Sequence, residues 1–268
     1  MCNSNDKKYV CRLCGNTFPE KEMSDEHYPA KSVGNDDIVA LDFVAFVDAL
    51  QEKNEIIRKA KSREEAERIL SEKFDKEISK PLYPNGRTIK TLCRNCNTFL
   101  GKYDEAYLKF FNNDGNPKVI KGFQRRTKVN IIKAILGKFL SIPETQNIAF
   151  DFIDYLKDAS MEQYNGKWNL YFIKRDYSTD LLGLSNIETG EIEFEEGMVY
   201  ELSDEKFIFN MMDFPIHPGY KMTNMFDILN DNYELITGVN EIGGYHGQIM
   251  LSKVLSDIAD EQRKKKLL

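Results

Sequence analysis

Two stretches, Cys11-Arg12-Leu13-Cys14 and Cys93-Arg94-Asn95-Cys96, decide how the N-terminal part of this chain folds. Each is a C-x-x-C pair, a spacing that is typical of tetrahedral zinc sites and that secreted disulfide frameworks seldom use. One pair supplies only two of the four ligands that a structural zinc site needs. We therefore predict that both pairs bind one zinc ion, the alternative being buried cysteines without metal. The fifth cysteine, Cys2, is predicted to be a spare exposed thiol.

The segments that follow the two pairs carry the candidate chemistry. Glu26-His27-Tyr28-Pro29 comes after the first pair, in a polar region where we predict short strands and loops. Asn97 follows the second pair, at the start of a helix predicted over 97–111. A zinc ion shared by the two pairs would bring these segments together.

The stretch between the pairs predicts a helical insertion at about 38–80. Apolar periodicity predicts one helix over 41–61. Ser62 and Glu65 have the spacing of a capping box, which predicts that a second helix begins there. A short strand is predicted at 88–92, leading into the second cysteine pair.

Beyond the turn residues at 112–117 we place a domain boundary, between 114 and 115. Two helices are expected after it, at about 125–141 and 148–157. A β-rich region with strands at 168–174 and 206–211 and a hairpin around 188–190 follows, and a last helix is expected at 248–263. The fold class predicted for the whole chain is α+β. Residues 115–268 would form a mixed α/β domain.

The order of these motifs resembles that of the HNH (ββα-metal) endonuclease family, whose members often carry interleaved zinc-binding cysteine pairs. The resemblance covers about residues 9–110. It rests on Glu26-His27-x-Pro29 between the cysteine pairs, and on Asn97, Gly101 and Asp104 after them. It implies that residues 1–114 form a ββα-metal finger with a four-cysteine zinc site and a helical insertion. The C-terminal domain would then recognise the substrate or a partner.

The same resemblance implies hydrolysis of phosphodiester bonds in nucleic acid, with DNA favoured over RNA as the partner. His27 would be the general base that activates water, because an imidazole exchanges protons near neutral pH. Glu26 and Asn97, with Asp104 as a third residue, would hold a catalytic Mg²⁺ or Mn²⁺ ion through oxygen atoms. A role in bacterial restriction or anti-phage defence, beside a protein partner such as an ATPase, is also implied by resemblance.

Three features depart from the family pattern. Thr88 stands nearest to the place of the central asparagine, and Asn97 stands where many members have histidine, which favours Mg²⁺ for catalysis. The insertion is also longer than usual. Glu26 and His27 are adjacent, so both reach one site only if the strand bulges or turns there.

Two residues of the predicted helix over 97–111 allow two interpretations. Asp104 follows Asn97 by two helical turns on the same face, and it is either a third metal ligand or an exposed or helix-orienting acid. Gly101 lies between them without a side chain. It could instead permit close packing, at a cost of about 1 kcal/mol in helix propensity.

The net charge of −6 argues against constitutive tight binding to nucleic acid, but the basic residues are concentrated in two acid-free stretches. Seven of them lie within 115–143, among them Lys133 and Lys138. The predicted nucleic-acid-binding residues are Arg87, Lys90, Arg94, Lys102, Lys121, Arg125, Arg126 and Lys128. The alternative is that these stretches are ordinary solvated faces. Acidic residues are concentrated instead at 188–205.

Composition excludes some classes of protein. With 41% hydrophobic residues the chain can bury a core, and no apolar run is long enough to span a membrane, so we expect a globular cytoplasmic protein. His217 and His246 are predicted to have structural or surface roles, and Trp168 to lie in a β core. The sequence does not indicate an oligomeric state.

Two rival functions remain open at this point. One is a zinc module that binds nucleic acid without cleaving it, in which Glu26 and His27 are surface residues. The departure from the family pattern at Thr88 supports this alternative. The other is an interaction subunit whose acidic 188–205 region docks a partner that activates a dormant nuclease.

Overall fold

A computed structural model of the chain describes residues 7–176, 189–194, 196–216, 220–230 and 232–239. The predictions for Cys2, His217, His246 and the helix at 248–263 lie outside these ranges. Helices and strands both contribute throughout, so the predicted α+β class is confirmed. Among the described helices, none is both long enough and apolar enough to cross a membrane.

The chain divides into two compact units. One, which we call the main unit, comprises Met1–Gly34 and Thr88–Leu268, and the other, the insert unit, is Asn35–Arg87. The insert unit corresponds in position to the predicted helical insertion at about 38–80. The predicted boundary between 114 and 115 falls inside the main unit instead.

The insert unit is a strand, two helices and a returning strand. Its elements are β4 (Ile38–Leu41), α1 (Phe43–Lys59), α2 (Arg63–Lys73) and β5 (Ser79–Tyr83), with β4 and β5 antiparallel. The predicted capping box is confirmed at the start of α2, where Ser62 Oγ accepts a hydrogen bond from the Glu65 amide at 3.2 Å. Asn35 ties the ends of the unit together, because its side chain accepts from the Arg87 amide and donates to the Arg87 carbonyl, at 2.7 and 3.0 Å.

The N-terminal part of the main unit consists of very short strands around the cysteines. Its strands are β1 (Lys8–Val10), β2 (Thr17–Pro19), β3 (Glu26–His27) and β6 (Thr88–Ile89), followed by helix α3 (Arg94–Asn112). β1 pairs with β2, and β3 pairs antiparallel with β6, so that His27 lies opposite Thr88. The first cysteine pair occupies the turn between β1 and β2, while Cys93 caps the start of α3.

In the described part of the chain, the rest of the main unit is three helices and a six-stranded sheet. The helices are α4 (Pro117–Lys121), α5 (Arg125–Phe139) and α6 (Ile153–Lys157), and the strands are β7 (Asn169–Asp176), β8 (Thr189–Glu193), β9 (Met198–Ser203), β10 (Phe207–Met212), β11 (Thr223–Asn224) and β12 (Thr237–Val239). The strand order is β11-β7-β10-β9-β8, and β12 joins β7 as the parallel member. The sequence predicted β7 and β10 but not β9, β11 or β12. The turn of the predicted hairpin lies partly outside the described residues, and its residues Thr189 and Gly190 belong to β8.

A shared core explains why no boundary follows residue 114. The amphipathic helix α3 must bury its apolar face against a partner, and it does so against elements beyond that point. Phe110 contacts the rings of Phe172 and Phe207 in the sheet, at centroid distances of 5.7 and 4.9 Å. The Tyr103 hydroxyl donates to the Leu156 carbonyl at 2.9 Å. The cysteine elements and the sheet therefore belong to one core.

Candidate functional site

The four paired cysteines form a cluster. The Sγ atoms of Cys11, Cys14, Cys93 and Cys96 all lie within 4.8 Å of one another, and all four thiols are free of disulfides. Cys11 and Cys93 are buried, and the other two are partly buried. The predicted convergence of the two pairs is confirmed, and the cluster could hold a metal ion such as zinc.

The surroundings of the thiols act on their charge in opposite directions. Burial raises the pKa of the Cys96 thiol and that of Cys14. At Cys11 burial acts in the same direction, but hydrogen bonds from backbone amides outweigh it and lower the pKa. One of these donors is the Cys93 amide, at 3.3 Å from Cys11 Sγ. Amide donors stabilise sulfur charge, and a bound cation would complete the neutralisation of four such groups.

Arg12 anchors the cysteine turn to the segment after α5. Its guanidinium donates to the carbonyls of Leu140 and Ile148 and to Thr145 Oγ1, at 2.8, 2.9 and 2.9 Å, and it lies over the Phe150 ring at 5.3 Å. Burial lowers the pKa of Arg12 to about 10. Arg12 was not predicted from the sequence as a residue of the site, because the groups that its guanidinium contacts are remote along the chain.

A cleft of about 300 Å³ next to this cluster is lined by all four residues predicted for catalysis, Glu26, His27, Asn97 and Asp104. Glu26 is buried, and the other three are partly buried. Strand β3 consists of Glu26 and His27 alone, and the chain turns immediately after it, so both residues border the same cleft. Asn97 and Asp104 come from the first and third turns of α3.

Asn97 has a partner that fixes its amide. Its Nδ2 donates to Ser24 Oγ at 2.6 Å, and the Ser24 amide in turn donates to the Leu92 carbonyl at 2.9 Å. With the amide nitrogen engaged in this way, Oδ1 is the atom of Asn97 suited to bind a cation. Ser24 was not predicted as part of the site.

The structure places a lysine beside the two acids of the cleft. Lys138, near the end of α5, forms an ion pair with Glu26 Oε1, and its Nζ lies 3.7 Å from Asp104 Oδ2. Burial alone would lower the pKa of Lys138, but the charges of Glu26 and Asp104 outweigh it and raise that pKa, so the ammonium stays protonated. From the sequence, Lys138 was recognised only as one of the basic residues within 115–143.

The basic residues predicted to bind nucleic acid are dispersed. Arg94 is exposed at the start of α3 and, together with Lys7, Lys21 and Lys90, lines a second cleft of about 470 Å³. Both clefts include Asp25, which pairs with Lys90 at 2.6 Å and raises the pKa of that lysine. The two clefts are therefore neighbours.

The remaining members of the predicted basic set have different surroundings. Lys102, Lys121, Arg125 and Arg126 are exposed, and Arg125 pairs with Glu162 at 2.6 Å. Lys128 is only 8% exposed and donates to the Lys121 carbonyl, so it does not belong to a solvated basic face. Arg87 belongs to the insert unit, where its guanidinium lies 5.5 Å from the centre of the Tyr83 ring.

Two acids of the predicted acidic region are internal rather than solvated. Asp204 is 1% exposed, accepts a hydrogen bond from the Tyr107 hydroxyl, and has its pKa raised by burial to about 6. Glu201 is also buried, and it accepts from Asn210 Nδ2 at 2.9 Å. These contacts hold the sheet together, and they reduce the acidic surface that was expected to dock a partner.

Gly101 is exposed at the cleft, and a Cβ added there would meet nothing within 4 Å. The close-packing interpretation of this glycine is therefore wrong. We expect Gly101→Ala to raise the free energy of unfolding by about 0.5–1 kcal/mol, because alanine has the higher helix propensity. Urea denaturation of the zinc-loaded proteins measures this.

Gly15 is the matched control for that substitution. A Cβ there would also meet nothing within 4 Å, but the residue has a φ of +77°. The left-handed backbone makes Gly15→Ala destabilising by roughly 1 kcal/mol. If both substitutions changed the free energy of unfolding in the same direction, the explanation from backbone conformation would be wrong.

No family model matches this chain, and neither does any curated protein or solved structure. Its function is therefore inferred from the side chains and their geometry.

Proposed function

We propose that this chain is a metal-dependent nucleic-acid endonuclease of the HNH (ββα-metal) type. The observation that carries the proposal is the single cleft that Glu26, His27, Asn97 and Asp104 line beside the four-cysteine cluster. The resemblance implied these four residues from their order in the sequence alone. A base and three oxygen donors for a divalent ion are groups that metal-assisted phosphodiester hydrolysis uses, and the four-cysteine cluster would brace them.

In this proposal the antiparallel pair β3 and β6, followed by α3, is the ββα-metal finger. The connection between β3 and β6 contains the insert unit, which accounts for the long separation between His27 and Cys93. Thr88 lies opposite His27 on β6, the place at which the family pattern expects an asparagine. The four cysteines would bind a structural zinc ion that fixes the start of α3 next to β3.

The proposed roles follow from the chemistry of each side chain. His27 takes a proton from the attacking water through an imidazole nitrogen. Glu26, Asn97 and Asp104 would hold Mg²⁺ or Mn²⁺, since hard divalent cations prefer oxygen ligands. When bound, this ion supplies neutralisation of the charge that develops on the phosphate and the leaving oxygen. Ser24 orients Asn97 through the hydrogen bond to its amide.

Nucleic acid would approach along the second cleft. Lys7, Lys21 and Arg94 offer positive charge at the edge of the catalytic cleft, where phosphates on either side of the cut bond would lie. We propose DNA as the favoured substrate, with recognition assigned to the part of the chain after residue 114.

A zinc module that binds nucleic acid without cleaving it is the second candidate. The ion pair between Lys138 and Glu26 favours it, because that pair neutralises one proposed metal ligand. This candidate predicts binding to nucleic acid that is unaffected by Mg²⁺ and leads to no cleavage.

The first test is a cleavage assay. We expect the zinc-loaded protein to cut supercoiled plasmid DNA, single-stranded DNA or RNA in Mg²⁺ or Mn²⁺, and to lose that activity in EDTA and regain it on adding back the divalent ion. Binding to all three substrates without any cleavage would reject the nuclease in favour of the second candidate. Cleavage of RNA alone would overturn the preference for DNA.

A further inference from the structure

The proposed catalytic cleft already contains a cation that belongs to the protein. Lys138 pairs with Glu26 in a nearly dry environment, where their side chains are 17% and 7% exposed. Its Nζ is also 3.7 Å from Asp104 Oδ2. The ammonium therefore stands beside both of the carboxylates that the proposed function assigns to a divalent ion.

We propose that Lys138 is the resident cation of this cleft, and that a divalent ion binds to Glu26 only by displacing the Lys138 ammonium. The inference rests on the proposed function, which makes Glu26 and Asp104 metal ligands. It gives Lys138 a specific role, because its charge would then set how tightly the cleft binds metal. Lys138 is a positioning residue in this view, since it acts through the two carboxylates.

The charges in the cleft support a competition. The buried carboxylate of Glu26 and the partly exposed carboxylate of Asp104 repel each other less when a positive charge lies beside both. The Lys138 ammonium supplies that charge, and a divalent ion would supply more of it. Both cannot contact the same Glu26 oxygen, because two cations a few ångströms apart repel strongly at low dielectric.

The spacing of the acids is consistent with this arrangement. Among the described residues, the only group of three or more cysteine, histidine or acidic side chains close enough to share a metal ion is the four-cysteine cluster. Glu26, His27 and Asp104 line one cleft without meeting in that way. The Lys138 ammonium contacts both Glu26 and Asp104 in this arrangement.

The Lys138 side chain has space to move without any movement of its helix. Lys138, Ala30 and Asp104 border the catalytic cleft on one side and a small interior cavity on the other. That cavity holds only about 20 Å³ and is lined mostly by apolar atoms, so a displaced ammonium would move into the open cleft of about 300 Å³ instead. The lysine stem is flexible, while the residues around it on α5 are buried and fixed.

The test measures Mn²⁺ binding to the full-length zinc-loaded protein, without nucleic acid, from the electron paramagnetic resonance signal of free Mn²⁺. We expect Lys138→Met and Lys138→Gln to bind Mn²⁺ at least about ten-fold more tightly than wild type, equivalent to about 1.4 kcal/mol. Lys138→Arg keeps the charge and should bind as wild type does. Glu26→Gln, added to Lys138→Met, should abolish the gain.

Lys133 provides a matched control. It is a buried lysine on α5, its ammonium donates to the Asp158 carbonyl at 2.5 Å, and it does not line the cleft. Lys133→Met should leave Mn²⁺ affinity unchanged. Zinc content and melting temperature identify any variant that fails to fold, and Lys138→Gln, which retains a hydrogen-bond donor for Glu26, is the milder of the two neutral variants.

Mn²⁺ affinity that is unchanged, weaker or absent in both neutral variants would overturn the inference. This result is separable from failure of the proposed function, because the binding measurement needs no cleavage. If the neutral variants bind Mn²⁺ more tightly but no protein cuts nucleic acid, the competition stands and the nuclease does not. If wild type cuts nucleic acid in Mg²⁺ while the variants bind Mn²⁺ no better, the nuclease stands and the competition does not.

Discussion

The His27→Ala protein is expected to cut nucleic acid roughly 10²–10⁴ times more slowly than wild type, the range that a positioned acid-base group contributes. The expectation follows from the place of His27 on β3, beside Glu26 and across the cleft from α3. Among the residues that the structure describes, His27 is the histidine that lines this cleft. The measurement is the single-turnover rate on the substrate identified in the cleavage assay, at saturating Mg²⁺.

Two comparisons make this result specific to the base. Zinc content and melting temperature should not change, because His27 is not among the clustered cysteines. His246→Ala, which removes a histidine predicted to have a structural or surface role, should keep the wild-type rate. A His27→Ala protein that cuts as fast as wild type would remove His27 from the mechanism and leave the identity of the base open.

The second large effect concerns the cysteine cluster. Cys93→Ser is expected to lose the bound zinc and to lower the melting temperature by about 10 °C or more, since structural zinc supplies several kcal/mol of folding free energy. Cys93 is the N-cap residue of α3, so the loss of its thiol from the cluster acts on the start of the helix that carries Asn97 and Asp104. Cleavage should therefore fall together with stability.

Elemental analysis and thermal unfolding measure the two effects together. Cys2→Ser is the control, because it removes the one cysteine of the sequence that lies outside the two pairs. That variant should keep its zinc and its melting temperature. A wild-type protein that contains no zinc, and whose stability is indifferent to Cys93→Ser, would show that the thiols are a metal-free cluster.

Several parts of the fold followed from local sequence. The capping box at Ser62 correctly located the start of α2, and apolar periodicity predicted α1, α3 and α5 to within a few residues. Strands were harder to predict. β4 and β5 pair across the whole insert unit, and β5 contains Pro81, which breaks the usual strand pattern.

The candidate site was likewise predicted only in part from the sequence. The convergence of its cysteines was predicted from their spacing, because a structural zinc site demands four ligands. The roles of Glu26, His27, Asn97 and Asp104 were implied by the resemblance. Lys138, Arg12 and Ser24 were not identified. Their partners lie far away in sequence, 112 residues in the case of Lys138 and Glu26, and no local pattern records such a contact.

By itself the sequence determined that two cysteine pairs would converge, and that acid, histidine and asparagine would stand beside them, because the four-ligand requirement of zinc leaves little alternative. Only the tertiary structure decided which charges surround those groups. Packing of α5 against α3 places Lys138 beside Glu26 and Asp104, whereas it buries Lys128 and Lys133. All three lysines belong to one basic stretch of the sequence. The physical reason is that burial depends on which face of a helix meets the core, and that choice is made by contacts between distant segments.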